Sequence, residues 1–356
     1  MSGTATKEKL TVRHLLVVLT GIMITFGCSA LCFSTWGLFQ PVVAEGLGEI
    51  TILWLAIPTL INRWFVERAG FFIGLCMAFT GIGGAIWSAV FTALTASGVD
   101  FHTIYLIWGV IALVTSLPFT LFCVRNSPED CGLAPYGASM QKAASGAEVS
   151  AKPSGLSAGF VMKTPMFYAI CIFAGLINIA ILIAMQFPTY TKSLTDVAFD
   201  VAVVGGVMTS VMMVGQAIFK VVLGAAADKN AKGALIFAFA AGVAGILLCW
   251  FGTFSEYVMY VGAFIFGGCY ATAVVLVPVI CRQSFGTREY SVIYSRVSTV
   301  FNLIAAFAAM IWAWLGSSFG FTVEFIVALA MLVVILLLGL YIFKAAAGYK
   351  KDWTTE

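Results

Sequence analysis

Two stretches of this chain repeat each other at one fixed spacing, and a third breaks the rule. Phe285-Gly286-Thr287-Arg288 introduces an apolar helix, a break near Ser318 and then Phe321. Phe65-Val66-Glu67-Arg68 introduces an apolar helix, a break near Gly98 and then Phe101, so these landmarks lie 220 positions apart. Pro41, near the end of the first long apolar segment, pairs instead with Pro188, only 147 positions on. The earlier half is therefore shorter than the later one by 220 less 147, or 73 residues. At about 1.5 Å per residue that is room for two membrane helices and part of a third. A chain with this pattern folds as two related helical bundles, one of them incomplete.

The composition fixes the surroundings of those bundles. Apolar residues make up 61% of the chain and charged residues 10%. Apolar runs of about twenty residues recur throughout, more than a water-soluble core can bury. We read an all-α polytopic membrane protein with ten spans, at about 14–43, 50–65, 69–95, 103–124, 162–190, 201–227, 233–253, 257–281, 290–316 and 321–345. The first span is too long for a signal peptide and lacks a cleavage pattern, so it is expected to stay as a helix. Residues 1–125 hold the shortened bundle, 126–161 a linker, and 162–356 a complete six-helix bundle.

An even number of spans puts both termini on one side. In that topology 17 of the 19 Lys and Arg residues share a face, with Lys192 opposite and Lys220 inside a span. Basic loops stay in the cytoplasm, so both termini and the linker are expected there, in a plasma membrane or, in a bacterium, the inner membrane. The linker is rich in Ser, Ala, Gly and Lys, and reads as flexible, with too few large apolar residues for a core. The net charge of +3 is inward anchoring, and no basic soluble surface points to nucleic acid. The weak span is the second: about 16 residues give roughly 24 Å of helix against roughly 30 Å of hydrocarbon, with Pro58 inside. It either crosses, helped by snorkelling of Arg63 and Arg68, or lies re-entrant.

Enzyme chemistry has little to work with. Eight of the nine cysteines lie in or beside apolar spans and Cys131 lies in the linker, without a CxxC pair or a His-rich cluster. Neither a metal nor another cofactor is expected. His14 and His102 fall at membrane edges, and no His or Glu is read inside a span, which leaves an intramembrane hydrolase without a base.

Lys220 is the charge that stands out. It lies eight residues before Asp228, about 12 Å of helix from the end of its span. Such a lysine either snorkels to the headgroups or forms a cationic site for an anion. Beyond it, Gly224-Ala225-Ala226-Ala227-Asp228-Lys229-Asn230-Ala231-Lys232-Gly233 joins two spans, with small residues before an acid and bases after it. Small residues let helices approach, and Asp228 can cap or ion-pair at a neighbouring helix end.

That loop resembles a signature of the major facilitator superfamily, in which glycine, three variable residues, Asp and then Arg or Lys form a gate; here the gate residues are Gly224, Asp228, Lys229 and Lys232. Asn62-Arg63-Trp64-Phe65-Val66-Glu67-Arg68-Ala69-Gly70, followed by Gly74, Gly81, Gly83 and Gly84, resembles the helix 4 to helix 5 passage of the superfamily's oxalate/formate antiporter and monocarboxylate transporter branches. The resemblance covers the whole chain, except that helices 2 and 3 and the first part of helix 4 are absent between Gly48 and Ile50, which agrees with the 73-residue deficit between offsets of 220 and 147.

The resemblance implies secondary active transport of a small organic anion, a mono- or dicarboxylate, by alternating access, as antiport or with protons. Lys220 occupies the place of a basic residue in helix 8 of the oxalate/formate branch. Tyr290-Ser291-Val292-Ile293-Tyr294-Ser295-Arg296 resembles the tyrosine-rich start of helix 11, but Arg296 falls about one residue early, a rotation of about 100°. It is then either a second cation of the site or an anchor beside Arg282 and Arg288. Trp36, Gln186, Tyr190, Tyr270 and Thr272 are candidates for the cavity wall, and each can equally face lipid. Gly70, Gly74 and Ala78 mark close helix packing. The alternative is a truncated, transport-inactive membrane protein of the same family. In either case four helices facing six leave a wall open to lipid or to a second copy in a homo-oligomer.

Overall fold

The computed structural model describes residues 10–34, 49–123, 128–137, 155–195 and 197–349. Trp36, Pro41 and Gly48 lie outside them. Among the described residues the chain is helical, with two isolated bridge pairs and no strand. The first half holds α1 (Val12–Ser34), α2 (Glu49–Trp64), α3 (Ala69–Ala96) and α4 (Phe101–Pro118). A short α5 (Ala158–Val161) leads into the second half: α6 (Pro165–Ile181), α7 (Phe187–Lys192), α8 (Val201–Phe251), α9 (Glu256–Phe285), α10 (Tyr290–Phe319) and α11 (Phe321–Tyr349).

Six stretches among the described residues are long and apolar enough to cross a membrane: His102–Cys123, Pro165–Lys192, Val203–Phe251, Glu256–Phe285, Tyr290–Phe319 and Phe321–Tyr349. Val12–Gly27 and Ala69–Gly84 are shorter apolar helices. The protein is a multi-pass helical bundle of the membrane. α2, with 16 residues and Pro58 inside, is not among the six.

The irregularities have local causes. Pro188 lacks an N–H and would collide with the carbonyl four residues before it, and a 3-10 turn, Leu182–Gln186, separates α6 from α7. Likewise Pro118 is followed by a π turn at Phe119–Cys123. α8 runs as two arms, 201–229 and 231–251, because Asn230 alone leaves helical geometry (φ −154°, ψ 89°). The Asn230 Oδ1 accepts from Gly233 N at 2.9 Å and so caps the second arm. Where the sequence reading leaves a loop of several residues, the structure turns on one.

The repeat is visible in the element boundaries. α4 starts at Phe101 and α11 at Phe321, and the turns after Trp64 and Phe285 are equivalent. Both receive an end of the linker. Tyr136 N donates to the Trp64 carbonyl and the Tyr136 carbonyl accepts from Val66 N, each at 2.9 Å, while Leu156 N donates to the Phe285 carbonyl at 2.9 Å. Trp64 and Phe285 end their helices, so these carbonyls lack partners inside them. The described ends of the linker are thus docked, in contrast to the flexible tether expected for the whole segment.

Packing follows the two halves. α1 lies on α3 and α4, and α10 and α11 lie on α6, while α8 packs on α9 in its own half and on α3 across the halves. Within the first half, Thr25 Oγ1 donates to the Cys76 carbonyl at 2.8 Å and Trp87 Nε1 to the Phe26 carbonyl at 3.0 Å. Such bonds between helices satisfy polar groups that lipid cannot.

Candidate functional site

The seam between α3 and α8 holds the candidate site. On the first arm of α8, Met213, Ala217, Lys220 and Gly224 recur at the spacing that lines one helical face, and that face lies on α3. A Cβ on Gly74 would run into the Lys220 carbonyl, and one on Gly81 would come 2.8 Å from the Met213 carbonyl. The glycines therefore set how closely the two halves approach. Lys220 is 1% exposed within this seam.

The Lys220 ammonium donates to Thr80 Oγ1, on α3, at 2.5 Å. An ammonium has three donors, and no carboxylate pairs with it among the described residues. Lysine held this way does not snorkel; its amine faces a neutral hydroxyl in the interior. One turn earlier on α8, Gln216 is fully buried, its Nε2 on Met213 Sδ at 2.7 Å and its Oε1 without a partner. Thr272 of α9 is also fully buried, and its hydroxyl has no partner. The spare donors of Lys220 can serve the acceptors of a carboxylate, as can the unpartnered Thr272 hydroxyl, whereas Gln216 Oε1 is an acceptor and calls for a donor.

At the linker end of the seam, Asp228 caps the start of α3. Its two carboxylate oxygens accept from Gly70 N at 2.7 Å and Phe71 N at 2.8 Å, where the helix dipole favours negative charge. Gly224 sits under this cap, close enough that a Cβ on Gly70 would come 2.7 Å from its carbonyl. Lys229 and Lys232 are exposed beside it. A second contact crosses the halves at the same end: Arg282 Nη1 donates to Asn62 Oδ1 at 2.9 Å. Both contacts join the halves at the linker end.

The remaining sequence candidates are scattered. Arg296 lies exposed on α10, a helix that packs chiefly on α2, α6 and α11, so it is not brought to Lys220. Tyr190 is buried at the opposite end, its hydroxyl donating to the Trp250 carbonyl at 3.0 Å and its ring against Phe321 and Phe325. Gln186 is half-buried at the end of the 3-10 turn and Tyr270 half-buried on α9, while Trp36 lies outside the described residues.

Several groups escaped the sequence reading. Thr80 is one hydroxyl in an apolar helix, with nothing local to mark it. Gln216 could have been found, four residues before Lys220 and so on nearly the same face. Two statements need correction. Glu324, which lies in the first turn of α11, is an interior glutamate at 1% exposure, where none was read. His14 is buried rather than interfacial, edge-on to Trp64, Phe65 and Tyr136, because the docked linker covers it.

With this geometry in hand, comparison with known proteins gives a consistent fold. Residues 184–353 match the sequence profile of the Major Facilitator Superfamily. No curated protein matches the chain. Among solved structures, the chain is similar to the proton:xylose symporter XylE bound to 6-bromo-6-deoxy-D-glucose, with TM-score 0.58, 11% identity, and 92% of this chain and 78% of that one covered. It is similar to the human organic anion transporter MFSD10 (TETRAN), with TM-score 0.57, 14% identity and coverage of 92% and 80%. The E. coli fucose:proton symporter FucP gives TM-score 0.56, 11% identity and coverage of 93% and 84%. The fold is therefore that of a major facilitator-like helical bundle, with four described helices in the first half.

Proposed function

We propose that this chain is a secondary transporter of the major facilitator type that moves a small organic anion, a mono- or dicarboxylate, by alternating access. The observation that carries this reading is the buried ammonium of Lys220, which has a hydroxyl but no carboxylate as partner and lies between the two halves. A lone interior cation is unfavourable by several kcal/mol unless a counter-charge arrives. A carboxylate provides that charge, and the spare donors of Lys220 with the amide of Gln216 provide its hydrogen bonds. That one similar structure is an organic anion transporter supports the class of substrate, and that two are proton symporters keeps proton coupling open beside exchange.

In this reading the halves are residues 1–125 and 162–356, the linker end is cytoplasmic, and the membrane is the plasma or bacterial inner membrane. The contacts of Asp228 and Arg282 close that end, so substrate reaches Lys220 from the far side. Breaking them lets the halves rock on the glycine seam and release substrate inward.

A second reading has its own support: four described helices face six, as in a truncated copy that no longer transports. Reconstitution into liposomes with labelled mono- and dicarboxylates, and with neutral sugars as a parallel arm, separates the two. Uptake of a carboxylate above protein-free liposomes is expected. Uptake of a sugar alone overturns the anion assignment, and no uptake of any compound by correctly inserted protein favours the truncated, inactive reading.

A further inference from the structure

At the end of the bundle opposite the linker, α10 and α11 meet in a tight turn at Gly320, and Glu324 is folded back into it. A Cβ on Gly316 of α10 would come 2.7 Å from Glu324 Oε2, so the carboxyl lies directly on the α10 backbone. The side chain is 1% exposed, and neither oxygen has a hydrogen-bond partner. Although Glu324 occupies the first turn of α11, no backbone N–H of that turn donates to its carboxyl. The usual compensation for a carboxylate at a helix start is therefore missing.

The neighbours do not supply it either. α11 packs on α6, α8, α9 and α10. The outer half of α10, from Val297 to Phe319, has no titratable group, nor does the outer half of α6, from Gly175 to Ile181. On α7, Tyr190 donates to the Trp250 carbonyl and Lys192 is exposed. Near α8, Asp200 accepts from Val203 N, and Cys249 donates to the Met259 carbonyl. Glu256, Tyr257 and Tyr260 begin α9, and none of them bonds to Glu324 among the described residues. A charged carboxylate in such a place is unfavourable by several kcal/mol, whereas the neutral acid needs far less solvation.

We infer that Glu324 is a proton-binding site, a carboxylic acid kept protonated inside the closed α10–α11 turn and ionised only when that turn opens. The ligand is the proton itself, taken up at the end of the bundle away from Lys220. The inference stands whether or not the chain transports an anion. If it does, the site offers a place where proton binding reads the state of the second half.

Two measurements on the purified full chain test this. The first compares thermal unfolding of the wild type and Glu324→Gln, a mimic of the neutral acid, between pH 5.5 and pH 9. A proton bound more tightly in the folded state stabilises it at low pH, and that contribution disappears as pH rises through the folded-state titration. Glutamate in the unfolded chain is already ionised above about pH 4.3, so the wild type should lose stability relative to the variant steadily as pH rises from 5.5, until the folded-state site itself titrates. Above that point the gap should stay fixed, with the wild type lower relative to the variant than at pH 5.5 by on the order of 5 °C. The second treats wild type with dicyclohexylcarbodiimide and maps the adduct by mass spectrometry. The acid proton passes to a carbodiimide nitrogen, the carboxyl oxygen bonds to the central carbon, and the acyl group then shifts to nitrogen, leaving a stable N-acylurea with no group lost. Glu324 should be modified at pH 6 and much less at pH 9. A melting gap that is constant across the pH range, or modification of other carboxyls but not Glu324 at pH 6, overturns the inference.

Discussion

Arg282 donates from Nη1 to Asn62 Oδ1 at 2.9 Å, and the two residues stand 220 positions apart, the offset of the internal repeat. Each comes from the end of the same repeated helix, α2 in one half and α9 in the other. One hydrogen bond between equivalent places thus ties the bundles together at the linker end. Asn62→Ala removes the acceptor from a largely desolvated guanidinium, a loss of about 1.5–3 kcal/mol for a charged hydrogen bond. Spin labels on the exposed positions Arg63 and Lys232, one in each half, should then report longer distances in the variant. An unchanged distance distribution means that this bond does not hold the end closed.

Asp228 makes another contact across the halves, at the linker end. Asp228→Ala leaves Gly70 N and Phe71 N without their acceptor and removes a charge from a helix start, so a loss of about 1–2 kcal/mol is expected. Asp228→Asn keeps one acceptor and should lose less. Melting temperatures in detergent should rank wild type, Asn, Ala in descending order, and an alanine variant equal to wild type would mean that this cap does not stabilise the fold.

The seam depends on glycines whose replacement has a definite direction. Gly74→Val pushes a side chain into the Lys220 carbonyl, while a Cβ on Gly109 of α4 meets nothing within 4 Å. The first should destabilise by about 1–3 kcal/mol or more through overpacking. Gly109→Ala should be neutral or mildly stabilising. Monodispersity after heating distinguishes them, and equal behaviour of the two variants would contradict the close approach of α3 and α8.

How much of this could be read from the chain depends on whether the signal is local. The repeat was legible because identical landmarks recur at one spacing, and Lys220 because a charge inside an apolar run has few readings. Asp228 was legible as a capping residue, though its target was not: Gly70 lies 158 positions away, and only tertiary packing names it. Arg282 reads as one more basic anchor at a membrane edge until Asn62 is seen beside it. Glu324 sits near a helix end, where glutamate is ordinarily solvated, and only the fold of the turn shows it sealed. Arg296 stays open in the sequence between a second cation and an anchor, and only the fold places it exposed on α10, away from Lys220.

The second span is the boundary of the first half that most affects topology. If α2 crosses, a cysteine introduced at Glu49 should react with an impermeant maleimide from one side and a cysteine at Glu67 from the other, in a background without native cysteines. Reaction of both from one side means that the 16-residue helix is re-entrant.

The central claim is that the buried ammonium of Lys220 serves an anion, and transport by Lys220 variants tests it most directly. Initial rates of carboxylate uptake into liposomes should be compared for wild type, Lys220→Ala and Lys220→Arg, with insertion verified for each. Loss of a charged hydrogen bond worth about 1.5–3 kcal/mol predicts that the alanine variant falls by roughly tenfold to a hundredfold, while arginine, which keeps the charge, retains part of the rate. Wild-type uptake by the alanine variant would contradict the claim.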